Sequence, residues 1–274
     1  MKNAVPAGFT LAKKGRLFLI SCDAISDIPG FSQFFTTRMG GVSGKPYDSM
    51  NMGGHTGDKR RNIRVNVSLL EKSLGVKYAG AARQVHGSNV IILKKGGAGK
   101  IPGLLIKKLI NTEADALITD IPSLAVGVRI ADCAGTVIID PVKKVVAAVH
   151  SGWRGIANKI PSISVKLMKK NFGSKPADLI AAVSPAIGPC CYEVGGDVLK
   201  MKKQKIYRGV FSEKNGRQYM DLWKGVGNLL EKEGLKKNNI HLCSMCTFDN
   251  PRLFYSHRRD MGKTGRMMAL GFFK

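Results

Sequence analysis

Two short apolar runs, Thr136–Ile139 and Val145–Val149, flank the turn-like pair Asp140-Pro141 near the middle of the chain. Runs rich in β-branched residues and bounded by turn signals predict the two strands of a hairpin. Similar runs predict strands at Arg16–Ser21, Phe31–Thr36, Ala79–Val85, Asn89–Leu93, Asp115–Thr119, Leu124–Ile130, Leu179–Val183, Ile240–Cys243 and Leu253–Ser256, with a further strand in the apolar tail. Elsewhere the period changes. Ile63, Val67, Leu70 and Leu74 recur at helical spacing, which predicts a helix over Lys59–Leu74 with Asp58 as its cap and Gly75 as its stop. Tyr219–Glu231 carries Leu222, Val226, Leu229 and Leu230 on one side and reads as a second helix. Gly155–Lys170 reads as a third, kinked or restarted at Pro161. Helical character also starts at Glu193. Strands and helices interleave with no internal repeat and no low-complexity linker, so the expectation is one α/β domain of α+β type over residues 1–274.

Between these elements lie loops with their own signal. Thr36–Asp58 is rich in Gly, Ser, Asn and Asp, has no apolar periodicity and presents Arg38, Ser43, Asn51 and His55. Structured loops of that length are often functional. It contains no phosphate-binding Gly-Lys-Ser/Thr sequence. Lys94–Pro102 reads as a Gly/Lys-rich surface loop, and Ser184–Val198 as a loop shaped by its prolines and glycines.

Composition narrows the class. No apolar run approaches the roughly 18 residues of a membrane helix, and the N-terminus lacks a signal-peptide pattern. The expectation is a cytoplasmic protein without a membrane partner. The net charge is +25, from 44 Lys and Arg against 19 Asp and Glu. The lysines fall in many short clusters without a nucleic-acid motif, so a nucleic-acid partner is not favoured, although the field would attract anions such as phosphate. The six cysteines, Cys22, Cys133, Cys190, Cys191, Cys243 and Cys246, do not form a disulfide framework in a chain this long. Cys243-x-x-Cys246 would make a four-thiolate zinc ribbon only by recruiting Cys190 and Cys191, and that reading is not favoured.

The candidate chemistry gathers at the ends of the central hairpin. Cys133 precedes its first strand and His150 ends its second, so an antiparallel pairing brings a thiol and an imidazole together beside the turn Ser151–Gly155. His86 also sits at a strand end, next to Gly87. Two imidazoles and one thiol leave a fourth position open on zinc, the pattern of a catalytic site. The same thiol and imidazole, without metal, would make a Cys133 nucleophile with His150 as base, the signature of a hydrolase or deamidase. Asp132 either orients a ligand from outside the site or caps a turn.

At these positions the chain resembles a known family. QVHG (Gln84–Gly87), ADC (Ala131–Cys133) and HSGWRG (His150–Gly155) are similar to signature blocks of the YfiH/YlmD family. TTRMGGVS, SMNMGGHTGD, EADALIT, AIGPCCYEVG and FYSHRRDMGKTGRMM fit the same order from Thr36 onward. That family was first labelled polyphenol oxidase or laccase-like, and later identified as purine nucleoside phosphorylases with adenosine deaminase side activity. The resemblance implies a YfiH-like mixed-sheet layered sandwich, related in arrangement to toxin domains with a Cys/His pair. It implies zinc on His86, Cys133 and His150, with copper as the less favoured metal. It also implies phosphorolysis of adenosine, inosine or methylthioadenosine to a free base and ribose 1-phosphate. Arg38 is carried over as a phosphate or ribose contact, and Asn51, Gln84 and Arg154 as residues that shape the substrate pocket. Gly135, Ser151 and His257 depart from the commonest residues of the pattern. A four-copper oxidase is excluded by the absence of His-x-His pairs in a chain with five histidines, and a cytidine-deaminase fold by the missing His-x-Glu and Pro-Cys-x-x-Cys motifs.

Overall fold

The computed structural model describes residues 5–78, 80–96, 109 and 111–274. Two six-stranded sheets pack face to face. In chain order the strands of the first are β1 (Phe9–Lys14), β2 (Leu17–Cys22), β3 (Phe31–Thr36), β4 (Lys77–Tyr78), β7 (Leu124–Ile130) and β15 (Met267–Phe273). In space they run β1-β2-β3-β15-β7-β4. The second sheet runs β14-β10-β8-β9-β6-β5. Its strands are β5 (Val90–Leu93), β6 (Ala116–Thr119), β8 (Ala134–Asp140), β9 (Val145–Ser151), β10 (Ile180–Val183) and β14 (Ile240–Leu242). Pairs β4/β7, β5/β6 and β10/β14 are parallel and the rest antiparallel, so both sheets are mixed. A three-stranded flap of β11 (Glu193–Val194), β12 (Phe211–Lys214) and β13 (Arg217–Met220) stands apart.

The side-chain period of two divides three cores. Along β15, Met267, Ala269 and Phe273 face the layer between the sheets, while Met268, Leu270 and Phe272 face outward onto α2 (Arg60–Leu74), the helix that follows the short α1 (Asp23–Ser26) in the chain. Along β9, Val146 and Ala148 join the inter-sheet core. Val145, Ala147 and Val149 of β9 face α4 (Ile160–Phe172) and α5 (Leu222–Lys232). Each sheet is therefore covered on both faces, giving an α/β/β/α sandwich. This is why the central strands read as continuous apolar runs instead of alternating ones. Every residue of β8, β9 and β15 is buried. At Gly271 the sheets approach so closely that a Cβ would lie 2.6 Å from Val137 Cγ1.

Several boundaries shift from the sequence expectations. β1 is unannounced in the sequence reading; it closes a hairpin with β2 across Gly15, whose φ is +60°. Ala79–Val85 is not a strand over its described residues; only Arg83 bridges, to Glu113. Ala79 itself, and Gly97–Pro102 of the expected surface loop, lie outside the described residues. The expected helix from Gly155 is two helices, α3 (Trp153–Ala157) and α4, with Lys159 left-handed at the join and Pro161 in the first turn of the second. Pro161 restarts the helix because its missing N–H costs nothing there. Tyr219 belongs to β13, and α5 begins only after Asp221, whose carboxylate accepts the Lys224 N–H. Glu193 opens a strand, followed by a 3-10 stretch at Gly196–Lys203. Leu253–Ser256 is a buried turn segment, not a strand. Asp58 stands one residue before the cap position of α2, where its Oδ1 accepts from the Lys59 N–H and from Asn62.

Candidate metal centre and substrate cleft

The second sheet positions the site by register. β8 and β9 pair Gly135 with His150 and Ala134 with Ser151, so Cys133 lies across from the residues that follow β9. On the other side of β9, Ala116 pairs with Val149, which sets Asp115 beside His150. Parallel β5 enters at the same end, its Val90 paired with Ala116, and the loop before it carries His86. Four residues that are remote in sequence therefore meet at one end of four adjacent strands. One donor atom from each of His86, Cys133 and His150 lies within 4.8 Å of the others. The two imidazoles meet edge to face with centroids 4.9 Å apart.

Asp115 organises this cluster. Its fully buried carboxylate sits 2.8 Å from His150 Nδ1 and accepts the backbone N–H groups of Val85, His86 and Gly87 at 3.2, 3.1 and 2.8 Å. The His86 backbone takes a left-handed φ of 59°, which turns three successive N–H groups onto one anion. An ionised carboxylate only accepts, so Nδ1 of His150 carries the proton and Nε2 is left for a metal. Burial raises the Asp115 carboxyl, but His150 and the backbone N–H groups outweigh it and hold the group below its ordinary range. Burial also pushes the Cys133 thiol up, yet the charge and hydrogen bonding of His150 and His86 bring it down to about 6. Burial opposes the charged His150 ring, and Cys133 and Asp115 nevertheless raise it to about 9. Gly152 completes the enclosure: a Cβ there would stand 2.8 Å from Cys133 Sγ and 3.3 Å from His86 Nδ1. Two imidazoles, a readily ionised thiol, an oriented ring and a wall kept free of side chain fit a three-ligand metal ion with an open position.

The cluster forms the floor of a cleft of about 440 Å³. The cleft's walls are basic and aromatic. Arg83, Arg129, Arg154, Arg258 and Arg266 reach it, as do Trp153 and Tyr192. Arg154 stacks over Trp153 at 4.4 Å and Arg258 over Tyr192 at 5.3 Å. Gln84 lines the cleft and braces it: its amide exchanges two 2.8 Å hydrogen bonds with the Arg129 backbone. Asn51 is buried outside the cleft and works from behind. Its Oδ1 accepts from the Gly53 and Arg266 backbones, fixing a glycine loop and an arginine that both face the cavity.

Arg38 is placed differently from its expected role. Its guanidinium is held by the Asp48 and Pro251 carbonyls, pairs with the Asp48 carboxylate at 3.3 Å and lies over the Tyr255 ring, away from the residues that line the cleft. Among the described residues, Asp132 forms no hydrogen bond with His86 or His150. Its Oδ1 accepts from Thr247 and its Oδ2 from the Arg258 N–H, both at 2.6 Å, and its carbonyl accepts the Ile187 N–H. It ties three loops together behind Cys133, closer to the turn-capping alternative than to a ligand-orienting one. Asp115 is not expected as a site residue from the sequence, although it lies within the EADALIT block; an acid immediately before the buried strand β6 is the available signal. Arg129, within β7, and Arg266, just before β15, are likewise not expected from the sequence. Gly135 has a local reason: a Cβ there would meet Ala269 Cβ at 2.5 Å.

The chain is similar to known proteins along most of its length. The family described as Multi-copper polyphenol oxidoreductase laccase matches residues 32–274. Purine nucleoside phosphorylase YlmD of Bacillus subtilis is 32% identical over 240 residues, covering 86% of each chain. A purine nucleoside phosphorylase of Haemophilus influenzae is 33% identical over 247 residues, covering 88% of this chain and 93% of that one. Among solved structures, YfiH of Bacillus licheniformis superposes with a TM-score of 0.86 at 31% identity over 98% of this chain and 100% of that one. YlmD of Geobacillus stearothermophilus gives 0.85 at 30% over 96% and 98%. With the layered sandwich, the strand-end cluster and these matches in agreement, the chain belongs to the laccase-like YfiH/YlmD family.

Proposed function

We propose that the protein is a zinc-dependent purine nucleoside phosphorylase, cleaving adenosine, inosine or methylthioadenosine with phosphate to the free base and ribose 1-phosphate. Adenosine deamination is its side activity. The observation that carries this reading is the meeting of His86, Cys133 and His150 on the floor of a cleft whose walls are arginine and aromatic rings. The names of the relatives, purine nucleoside phosphorylases, support the same reaction class. A zinc ion on these three residues supplies a Lewis acid and a polarised water when bound; copper is the second choice, since a mixed imidazole and thiolate set suits both metals.

The chain's own groups suit the remaining tasks. Phosphorolysis brings a dianion against a ribose that develops positive charge. Arg154 and Arg266 place fixed positive charge along the cleft, and their forked donors match phosphate oxygens. Trp153 and Tyr192 offer flat faces for a purine. Burial holds Arg266 below its ordinary value, so an anion beside it regains the charge compensation that the protein withholds. Asp115 keeps His150 in one tautomer, while Gln84 and Asn51 hold the cleft walls in place.

A second reading rests on the Cys133–His150–Asp115 line. A thiol near 6 beside an imidazole oriented by a carboxylate is also the arrangement of a metal-free Cys/His hydrolase or deamidase. The experiment that separates the two is adenosine turnover by zinc-replete protein with and without phosphate, with products resolved by chromatography and zinc counted in the same sample. Phosphate-dependent adenine release that is lost in His86→Ala together with the zinc that this variant fails to hold supports the phosphorylase. Absence of purine turnover, and of any zinc that His86→Ala removes, moves the assignment to the hydrolase.

A further inference from the structure

A second cluster of metal-binding side chains lies outside the cleft floor. Cys190, Cys191, Cys246 and Asp249 each offer one donor atom within 4.8 Å of all the others. The structure separates them from Cys243, which is fully buried in the inter-sheet core and facing Cys22. The Cys-x-x-Cys spacing is therefore not the functional pair. The pair from this loop is Cys246-x-x-Asp249, and the facing loop supplies the adjacent thiols.

We infer that Cys190, Cys191, Cys246 and Asp249 form a structural site for a thiophilic divalent cation, zinc being the fitting ion. Four donors of this kind complete a closed tetrahedral shell, unlike the three-donor cluster in the cleft. A tetrahedral zinc with bonds of about 2.3 Å holds its sulfurs roughly 3.8 Å apart, so the cluster needs only a small contraction. Both exposed-side thiols already point at the carboxylate: Cys190 Sγ lies 3.2 Å from Asp249 Oδ2 and Cys191 Sγ 3.1 Å from Asp249 Oδ1. These thiol protons are the ones released to water on coordination. Two further features match a thiolate centre. The Gly188 N–H donates to Cys246 Sγ at 3.3 Å, and a Cβ at Gly188 would press to 3.1 Å on Cys190 Sγ. Three thiolates and a carboxylate leave the filled site with two excess negative charges. Beside it, Arg259 donates to the carbonyls of Thr247 and Phe248, the two residues between Cys246 and Asp249.

The place of this cluster gives it a purpose. It joins the loop after β10 to the loop after β14, which also meet at the bridge between Ala186 and Cys246, where the Ala186 N–H bonds to the Met245 carbonyl and the Thr247 N–H to the Ala186 carbonyl. The first loop sends Ile187 and Tyr192 into the cleft, and both loops bond to Asp132, next to Cys133. A metal here would staple the cleft wall to the backbone that presents the Cys133 thiol. This inference does not depend on the phosphorylase reading.

The test is a metal count on protein purified with reductant, loaded with zinc chloride and desalted. The expected result is about two zinc per chain in the unaltered protein, and about one in Cys190→Ser/Cys191→Ser and in His86→Ala, each having lost a different ion. Cobalt loading assigns them. The near-ultraviolet thiolate-to-cobalt absorption should fall mostly in the serine double variant and little in His86→Ala, since the cleft cluster holds only one thiolate. Asp249→Ala, a change at the exposed end, guards against misfolding of the double variant; it should give up the second zinc to a chelator that the unaltered protein withstands. A count of about one that the serine variant leaves unchanged, or a disulfide among Cys190, Cys191 and Cys246 in protein purified without air, would overturn the site.

Discussion

Asp115 Oδ1 sits 2.8 Å from His150 Nδ1, and the same carboxylate holds the backbone N–H of His86 at 3.1 Å. One side chain thus sets the ring of one proposed ligand and the loop of another. Asp115→Asn keeps the shape but loses the charge and sets an amide donor against donors. It should weaken zinc binding by about 10- to 100-fold, the usual effect of losing such a supporting partner. Competition with a chromophoric chelator measures this directly, and affinity equal to the unaltered protein would show that Asp115 serves folding alone.

Gly152→Ala should disturb the same centre from the opposite wall. The added Cβ would lie 2.8 Å from Cys133 Sγ, closer than real contacts of this kind. Gly152 itself has an extended φ of −77°, so the backbone tolerates alanine and the effect is local. The expected outcome is a protein with unchanged circular dichroism and a thermal midpoint within a few degrees, but with zinc and turnover sharply reduced.

In metal-free protein the Cys133 thiol ionises at about 6 and the His150 ring loses its proton only at about 9. Between those values the two form a thiolate–imidazolium pair. The thiolate is the reactive form and its fraction falls as pH drops below about 6. Alkylation of Cys133 by iodoacetamide should therefore rise through pH 6 and level off, whereas an ordinary thiol keeps rising to about 8.5. Peptide mass mapping of the labelled cysteine against pH checks the midpoint. Added zinc should protect the residue.

Arg154 faces the cleft with its guanidinium stacked on Trp153. Arg154→Ala should raise the KM for phosphate by about 10- to 100-fold, as expected for one charge-assisted contact worth roughly 1.5–3 kcal/mol. The zinc content should remain unchanged. Steady-state kinetics with phosphate varied at saturating inosine reads the effect; an unaltered phosphate KM would remove Arg154 from the anion site.

Asp132 is buried with a left-handed φ of 82°, a conformation that asparagine also accepts. Asp132→Asn therefore preserves the backbone but replaces one acceptor oxygen by a donor facing Thr247 or the Arg258 N–H. A loss of about 1–3 kcal/mol in unfolding free energy is expected from the unsatisfied group. Denaturant titration of the zinc-loaded variant measures it, and full stability would show that the three loops hold together without this carboxylate.

By itself the amino-acid sequence determined most of the strands, the helix over α2 and the pairing of β8 with β9, because hydrophobic runs, turn residues and 3.6-residue periodicity are local signals. It also marked His86, Cys133 and His150 as candidates, although the strand expected before His86 is a loop with one bridge at Arg83. Other features were settled only by the tertiary structure. Strand order in the second sheet brought β6 beside β9, and only that adjacency turns Asp115 from the first residue of an apolar run into the brace of two proposed ligands. Close packing against Asp48 and Tyr255 drew Arg38 away from the cleft, while Arg129 and Arg266 were brought to it from the apolar strands of the first sheet. Cys246 joined Cys190 and Cys191, and not its sequence neighbour Cys243, because a residue's neighbours across a sheet are chosen by register and burial, which no spacing along the chain encodes.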